Sequence, residues 1–392
     1  MSREVQVNPA RPTADGRTDG VPPDVPREIG EEERGIFFRV VSTDLSPEQL
    51  ARAETPHRVY PDERHVLAVH WHPEFVPMEA IAKRIAATFP NRKEELIIPT
   101  QHNTLMRYGP YSGVEVDCYA RAFNQKIQLL LHFEHDRVGD AGVLRTMLEH
   151  TFKYRASQLF EFLYAITKPV PESLDPAVRE CGADDAVVRF VRAYVAKIQD
   201  LIETHFETIP RESMKNKLLR DFFDELRPAC GDLLINRAQA LLKSVKLAVK
   251  AHFPLKYFYR ASEVIEETRA LGGGVVIPHP EQFWPVLLAG YDVDGIEVWN
   301  PESRRYTEFL VHILTEKNRR RGDGARKLLI FMGDDCHMGE KVRDPALLDP
   351  AKANRQIGLQ PAWHDIGLRK ALIKAGMEKA SVIAEYKARL AG

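Results

Sequence analysis

Val66-Leu67-Ala68-Val69-His70-Trp71-His72 is a short apolar run closed by two histidines two positions apart. Four consecutive apolar residues predict a buried strand, and residues i and i+2 of a strand project to one face, so His70 and His72 offer two imidazoles from a single strand end. Neutral imidazole is the commonest metal ligand, which makes the pair a candidate chelate. The pattern recurs near the other end of the chain. Leu328-Leu329-Ile330-Phe331-Met332 runs into Gly333-Asp334-Asp335-Cys336-His337, and Asp335 and His337 are again i and i+2.

Working inward from these two ends, Leu96-Ile97-Ile98 reads as a strand followed by Gln101-His102-Asn103. Gly113 to Cys118 reads as a strand carrying Glu115, and Ile127 to Leu131 as a strand followed by His132 and His135. Gly274-Val275-Val276-Ile277 leads into Pro278-His279-Pro280. Six predicted strands thus deliver a His, Asp or Glu at or near the carboxyl end, where barrel active sites are assembled. Gly295-Ile296-Glu297-Val298-Trp299 is a further strand, and Glu297 is expected to position ligands rather than to bind metal. Helical stretches over 78–89, 262–271, 281–289 and 303–317 alternate with the strands, so the fold class is α/β with a parallel sheet, open or closed into a barrel. The donor set is nitrogen and oxygen without thiolate, which suits Zn, Mn or Fe in an open catalytic site.

The 392 residues, 44% hydrophobic and 28% charged, are those of an ordinary globular protein and exclude fibrous and wholly disordered classes. A formal net charge of -1 supplies no overall basic field for nucleic acid. Four dispersed cysteines without a CxxC pair argue against a zinc ribbon or a disulfide framework and are expected of a cytoplasmic protein. With no signal-like start and no run of about 18 apolar residues, the chain is expected to be soluble and independent of membranes.

Residues 1–35, rich in Pro, Gly and charge, are expected to be a flexible tail, with order beginning at a β-rich run from Gly35 to Val41 and a helix starting at Ser46-Pro47-Glu48-Gln49. The metal-binding barrel is placed at 36–345. It is interrupted by a helical insertion over 140–258, whose apolar residues recur with helical periodicity, and followed by a helical extension over 346–392. The insertion is expected to act as a lid or to support a homo-oligomer.

In this order the motifs resemble those of the PHP (polymerase and histidinol phosphatase) phosphoesterases. The resemblance covers residues 66–338 apart from the insertion and is strongest in Pro278-His279-Pro280, Glu297-Val298-Trp299-Asn300 and Asp335-Cys336-His337. It implies a distorted (β/α)7 TIM-like barrel and two or three divalent metal ions. By motif, His70, His72, Glu115 and Asp335 would bind one ion, with Glu115 bridging to a second held by His279 and by His132 or His135. His102 and His337 would contribute to a third. The chain departs from the family pattern at Gln101, Gln128 and Met78.

The activity so implied is hydrolysis of a phosphate ester by a metal-activated hydroxide, with His70, His72, Glu115, His279, Asp335 and His337 forming the catalytic centre. The substrate class is a phosphorylated small molecule or nucleotide. The competing readings are a nuclease acting on DNA or RNA ends, a metal-binding regulatory module without catalysis, and hydrolysis of a non-phosphate bond. Arg304 and Arg305, close to a strand end, are candidate phosphate contacts, whereas the run Lys317 to Arg321 reads as a solvated helix end. Cys336 reads as a structural thiol, and His57, His65, His150, His205, His252, His312 and His364 as ordinary residues.

Overall fold

The computed structural model describes residues 25–168, 171–321, 324–345 and 348–392. The chain is α/β and divides into two compact units. One comprises Asp44–Tyr154 and Pro254–Gly392, and the other Arg155–Phe253 with the described part of Met1–Thr43.

The first unit holds all the described strands: β1 (His65–Ala68), β2 (Trp71–His72), β3 (Glu94–Ile97), β4 (Met106–Tyr108), β5 (Tyr111–Ala120), β6 (Gln125–Glu134), β7 (Gly274–Ile277), β8 (Gly295–Trp299), β9 (Leu329–Met332) and β10 (Cys336–His337). Strands β4 to β9 form a six-stranded sheet in chain order, while β1 pairs with β3 and β2 with β10. Backbone bonds extend the pairings at the carboxyl ends. Ile98 donates to Ala68, Thr100 to Trp71, Glu115 to Gln101, Gly333 to Trp299, Asp335 to His70 and Met338 to His72. The strand ends that carry the histidines are therefore tied to one another by main chain.

The sheet is mixed where a parallel one was expected. Strands β7, β8 and β9 are mutually parallel, but β5 and β6 form a ten-residue antiparallel hairpin and β6 runs antiparallel to β7. The reason lies in the connection. Only Arg121 to Asn124 separate β5 from β6, far fewer than a parallel crossover requires, and Asn124 turns the corner in the left-handed region at φ 50°.

The core of this unit packs strand residues such as Val114, Leu129, Val276 and Phe331 against the helices Ala261–Ala270, Thr307–Arg321 and Lys379–Ala391. Leu144, Met147 and Leu148, expected at the start of the insertion, also pack in this core. Tyr386 of the last helix lies edge-on to Phe331 at 4.9 Å. At the amino end of β8, the buried Asp294 carboxylate accepts from Val275 N and Arg269 Nη1, 2.8 and 2.7 Å away, and also pairs with Arg326 and Arg389. Predicted helices at 78–89 and 262–271 correspond to Met78–Thr88 and Ala261–Ala270. The stretch 281–289 instead forms two 3-10 turns, Pro280–Gln282 and Trp284–Leu288, because prolines at 280 and 285 withhold backbone donors.

The second unit is helical, and its core is built from Leu159, Phe162, Phe190, Val191, Phe222, Phe223 and Leu241. It also contains the helix Glu31–Val41, where the sequence reading has a strand and, up to residue 35, a tail. Three glutamates in its first turn complement the helix dipole, and Ile36, Phe37 and Val41 are buried while Phe38 and Arg39 face outward, a helical rather than alternating pattern. The remainder of the expected tail, residues 1–24, lies outside the described residues. Ser46 caps the helix Pro47–Glu54 as the sequence predicts, accepting from Gln49 N at 3.2 Å.

Candidate metal centre

Every element that delivers a donor to the centre belongs to the first unit. His70 follows β1, His72 ends β2, and the parallel pairing of His72 with His337 brings the two motif ends of the sequence side by side. An isolated bridge between His102 and Glu115 brings the loop after β3 against β5. His279 follows β7, and Asp335 joins β9 to β10. Four of the five non-glycine residues with positive φ among the described residues lie here: Glu74 (53°), Asn103 (53°), His279 (27°) and Asp335 (44°). Backbone held in a sparsely populated region must be over-determined by its surroundings, and such positions concentrate at functional sites.

Two carboxylates organise the donors. Glu115 turns Oε1 toward His279 Nε2 (3.2 Å) and His70 Nε2 (3.9 Å), and Oε2 toward His102 Nδ1 (2.5 Å) and His72 Nε2 (3.7 Å). Asp335 Oδ1 stands 3.7 Å from His70 Nε2, 3.4 Å from His72 Nε2 and 3.4 Å from His337 Nε2. Three overlapping groups result: His72, His102 and His337; His70, His72 and Asp335; and His70, Glu115 and His279. Within each group the donor atoms lie within 4.8 Å of one another. Two donors sharing one tetrahedral ion, each roughly 2.1 Å from it, stand roughly 3.4 Å apart. The 3.4 Å separations of Asp335 Oδ1 from His72 Nε2 and from His337 Nε2 fit that spacing.

A second observation supports the fit. Both ring nitrogens of His72 are buried and have no hydrogen-bond partner, a costly arrangement for a polar group unless a cation takes the lone pair. The ring lies between those of His102 and His337, stacked at 4.4 and 4.2 Å. Burial, then the neighbouring His337 and His102, hold His72 down to about 3, so it is a neutral imidazole, the form that binds metal. Desolvation acts against the charged form of His70 as well, but Glu297, Asp335 and Glu115 together outweigh it and lift this ring to about 10. For Glu115, burial pushes upward, yet His102 and then His279 and His72 hold the carboxyl well below its ordinary range. Asp335 is likewise held low against burial, by His337, His72 and His70. The two anionic ligands are thus ionised and the central imidazole neutral.

Supporting residues fix the ligands. His70 Nδ1 donates to Glu297 Oε1 at 2.8 Å, and Glu297 Oε2 accepts from the His279 backbone N–H at 2.8 Å. Glu297 therefore holds two of the candidate ligands in place. Glu74 Oε1 faces His337 Nδ1 at 3.5 Å while Oε2 accepts from Gly339 N at 2.9 Å. Gln101 turns its Oε1 back to the Glu74 N–H at 3.0 Å.

Two predicted ligands lie elsewhere. His132 sits with Nε2 3.0 Å from the Val69 carbonyl and Nδ1 2.8 Å from the Tyr386 hydroxyl. A carbonyl only accepts, so Nε2 carries the proton and Nδ1 accepts from the tyrosine, leaving no lone pair for a metal. His135 follows β6 and pairs with the Ser112 hydroxyl at 2.8 Å. The reversed sense of β6 explains both. His132 opposes Gly274 at the amino end of β7, whereas His279 follows the carboxyl end of that strand. Arg304 and Arg305 are exposed on a 3-10 turn, where Arg305 lies over the Tyr306 ring, and the cation that reaches the cluster is Arg355. Arg355 and Glu74 carried no periodic or motif signal as members of the site. Only the proximity of Glu74 to His72 in sequence hinted at its role.

No protein-family model and no curated protein matches the chain. Among solved structures it is similar to a candidate metal-dependent phosphoesterase from Bifidobacterium adolescentis, with 15% identity over 80% of this chain and 98% of that one, at a TM-score of 0.42. No helix among the described residues is long and apolar enough to cross a membrane.

Proposed function

We propose that the chain is a metal-dependent phosphoesterase of the PHP type, its strand ends arranged as a distorted seven-stranded barrel around two or three divalent ions. The observation that carries this reading is the set of three donor groups that overlap at His70 and His72, with Glu115 Oε2 also facing His102 and His72. A single structural ion needs one closed set of four ligands, whereas linked sets of three with carboxylates between them suit neighbouring ions that leave positions open for substrate.

His72, His102 and His337 would hold one ion and His70, Glu115 and His279 another. The group His70, His72 and Asp335 draws on the same two rings, and with His70 Nδ1 bonded to Glu297 the remaining lone pair of that ring would serve one ion only. Ions bound there would supply Lewis acidity toward phosphate oxygens and acidify water toward neutral pH. The chain's own residues do the remaining work. Glu297 fixes the orientation of the His70 ring, and Glu74 faces the outer nitrogen of His337. Glu115 is buried and the Asp335 side chain is 21% exposed, so bulk water is largely kept from both carboxylates and electrostatic contacts there are strengthened. Hydrolysis of a phosphate ester needs no protein nucleophile in such a centre.

The reading is tested with chelator-stripped protein reconstituted with Zn or Mn, measuring hydrolysis of p-nitrophenyl phosphate and of bis(p-nitrophenyl) phosphate. Metal-dependent release of nitrophenol from either, lost in His72→Ala, is the expected result and ranks monoester against diester. Protein that binds its metal yet leaves both esters and a panel of phosphorylated metabolites and oligonucleotides intact would overturn the assignment.

A further inference from the structure

Arg355 is 8% exposed and lies in a stretch between the short helix Pro350–Ala353 and the 3-10 turn Pro361–His364, outside every motif that marks the centre. Its Nη1 donates to Asp335 twice, to Oδ2 at 2.7 Å and to the main-chain carbonyl at 3.0 Å. Its Nη2 donates to Glu302 Oε1 at 2.8 Å. The two oxygens of Asp335 are thereby divided. Oδ2 is engaged by the guanidinium, while Oδ1 is the one that faces His70, His72 and His337.

Resting on the metal-centre reading above, we propose that Arg355 is the positioning residue that makes Asp335 a one-oxygen ligand. A carboxylate rotates readily about its terminal torsion, so Asp335 alone could offer either oxygen, or both, to an ion. A guanidinium whose Nη1 holds Oδ2 while its Nη2 is tied to Glu302 removes that choice and keeps Oδ1 toward the histidines. The second bond, to the Asp335 carbonyl, braces a residue whose φ of 44° is unfavourable for a non-glycine backbone. Arg355 is itself anchored. Its carbonyl accepts from the buried Lys341 ammonium and from Cys336 Sγ, 3.5 Å away, so the chain just beyond His337 braces the residue that orients Asp335. Lys341, Cys336 and Arg355 thus form one support behind the ligand.

The test compares chelator-stripped wild type, Arg355→Met, Arg355→Lys and Glu302→Gln by competing Zn or Mn against a fluorescent chelator, with a melting curve for each. Arg355→Met is expected to weaken at least one metal Kd by about 10–100-fold, as loss of a ligand-orienting partner does. Arg355→Lys should fall between it and wild type, because an ammonium restores charge without the fork. Glu302→Gln should stay within about twofold, since the Glu302 side chain is largely exposed. A lowered melting temperature with every metal Kd unchanged makes Arg355 merely structural and overturns the proposal. Should Arg355→Met not fold, Arg355→Lys decides alone, and an unaltered Kd there overturns it. Wild type that takes up no metal sinks the centre itself and this proposal with it, whereas metal-binding wild type with unaltered variants sinks this proposal only.

Discussion

Glu297 holds His70 with one oxygen and the His279 backbone with the other, so a single carboxylate serves two members of one donor group. Replacing it with glutamine keeps the shape but loses the charge on which the His70 bond depends. Glu297→Gln is predicted to weaken metal binding by about 10–100-fold, read by chelator competition, with little change in the melting curve of the metal-free protein. Gly333 offers a steric version of the same experiment. A Cβ there would stand 1.6 Å from Glu297 Oε1 and 3.0 Å from His70 Nδ1, so Gly333→Ala must displace the carboxylate. It should lower both metal content by elemental analysis and thermal stability. At this scale the sequence shows His70, His72, Asp335 and His337 plainly, because i and i+2 at a strand end need no tertiary information. His102, Glu115 and His279 also join the donor groups, each at a predicted strand or strand end. Arg355 was invisible for the opposite reason: its role depends on a loop returning to Asp335 from 20 residues downstream.

Strand sense is the element-scale fact that separates the candidate ligands from residues that share their sequence pattern. His132 and His135 follow an apolar strand as the true candidates do, yet β6 runs the other way, and a lone strand's direction within a sheet is not written in its periodicity. The account therefore predicts that His132 matters for stability and not for metal. Tyr386→Phe removes the hydroxyl that donates to buried His132 Nδ1 and leaves an unsatisfied acceptor, a loss of about 1–3 kcal/mol. Denaturant unfolding should register it while metal stoichiometry stays at the wild-type value; a loss of metal would return His132 to the ligand set. Asp294 anchors the opposite end of the sheet. Asp294→Asn leaves Arg269, Arg326 and Arg389 short of their shared buried anion and should cost about 3–5 kcal/mol by the same measurement. The helix Glu31–Val41 carries a related lesson. Gly35 to Val41 is rich in β-formers, and helical burial of Ile36, Phe37 and Val41 in the core of the second unit overrides that local preference.

Across the whole molecule, every candidate ligand and every residue shown to support one lies within Asp44–Tyr154 and Pro254–Gly392. The ends of that unit at the excision point are close, since the Tyr154 hydroxyl donates to the Pro254 carbonyl. Residues 44–154 joined to 254–392 by a short flexible linker are accordingly predicted to fold and to keep the metal stoichiometry of the full chain. An altered ester preference or oligomeric state in that excised protein would give the helical unit the lid or dimerisation role expected of it. The most direct test of the central claim is the metal stoichiometry of the full chain beside that of His72→Ala, measured by elemental analysis after reconstitution with Zn or Mn. Because His72 belongs to two of the three donor groups, wild type should carry two or three ions and the variant at least one fewer, with ester hydrolysis lost in step. Wild type without metal, or a variant that keeps its full complement, would contradict the account.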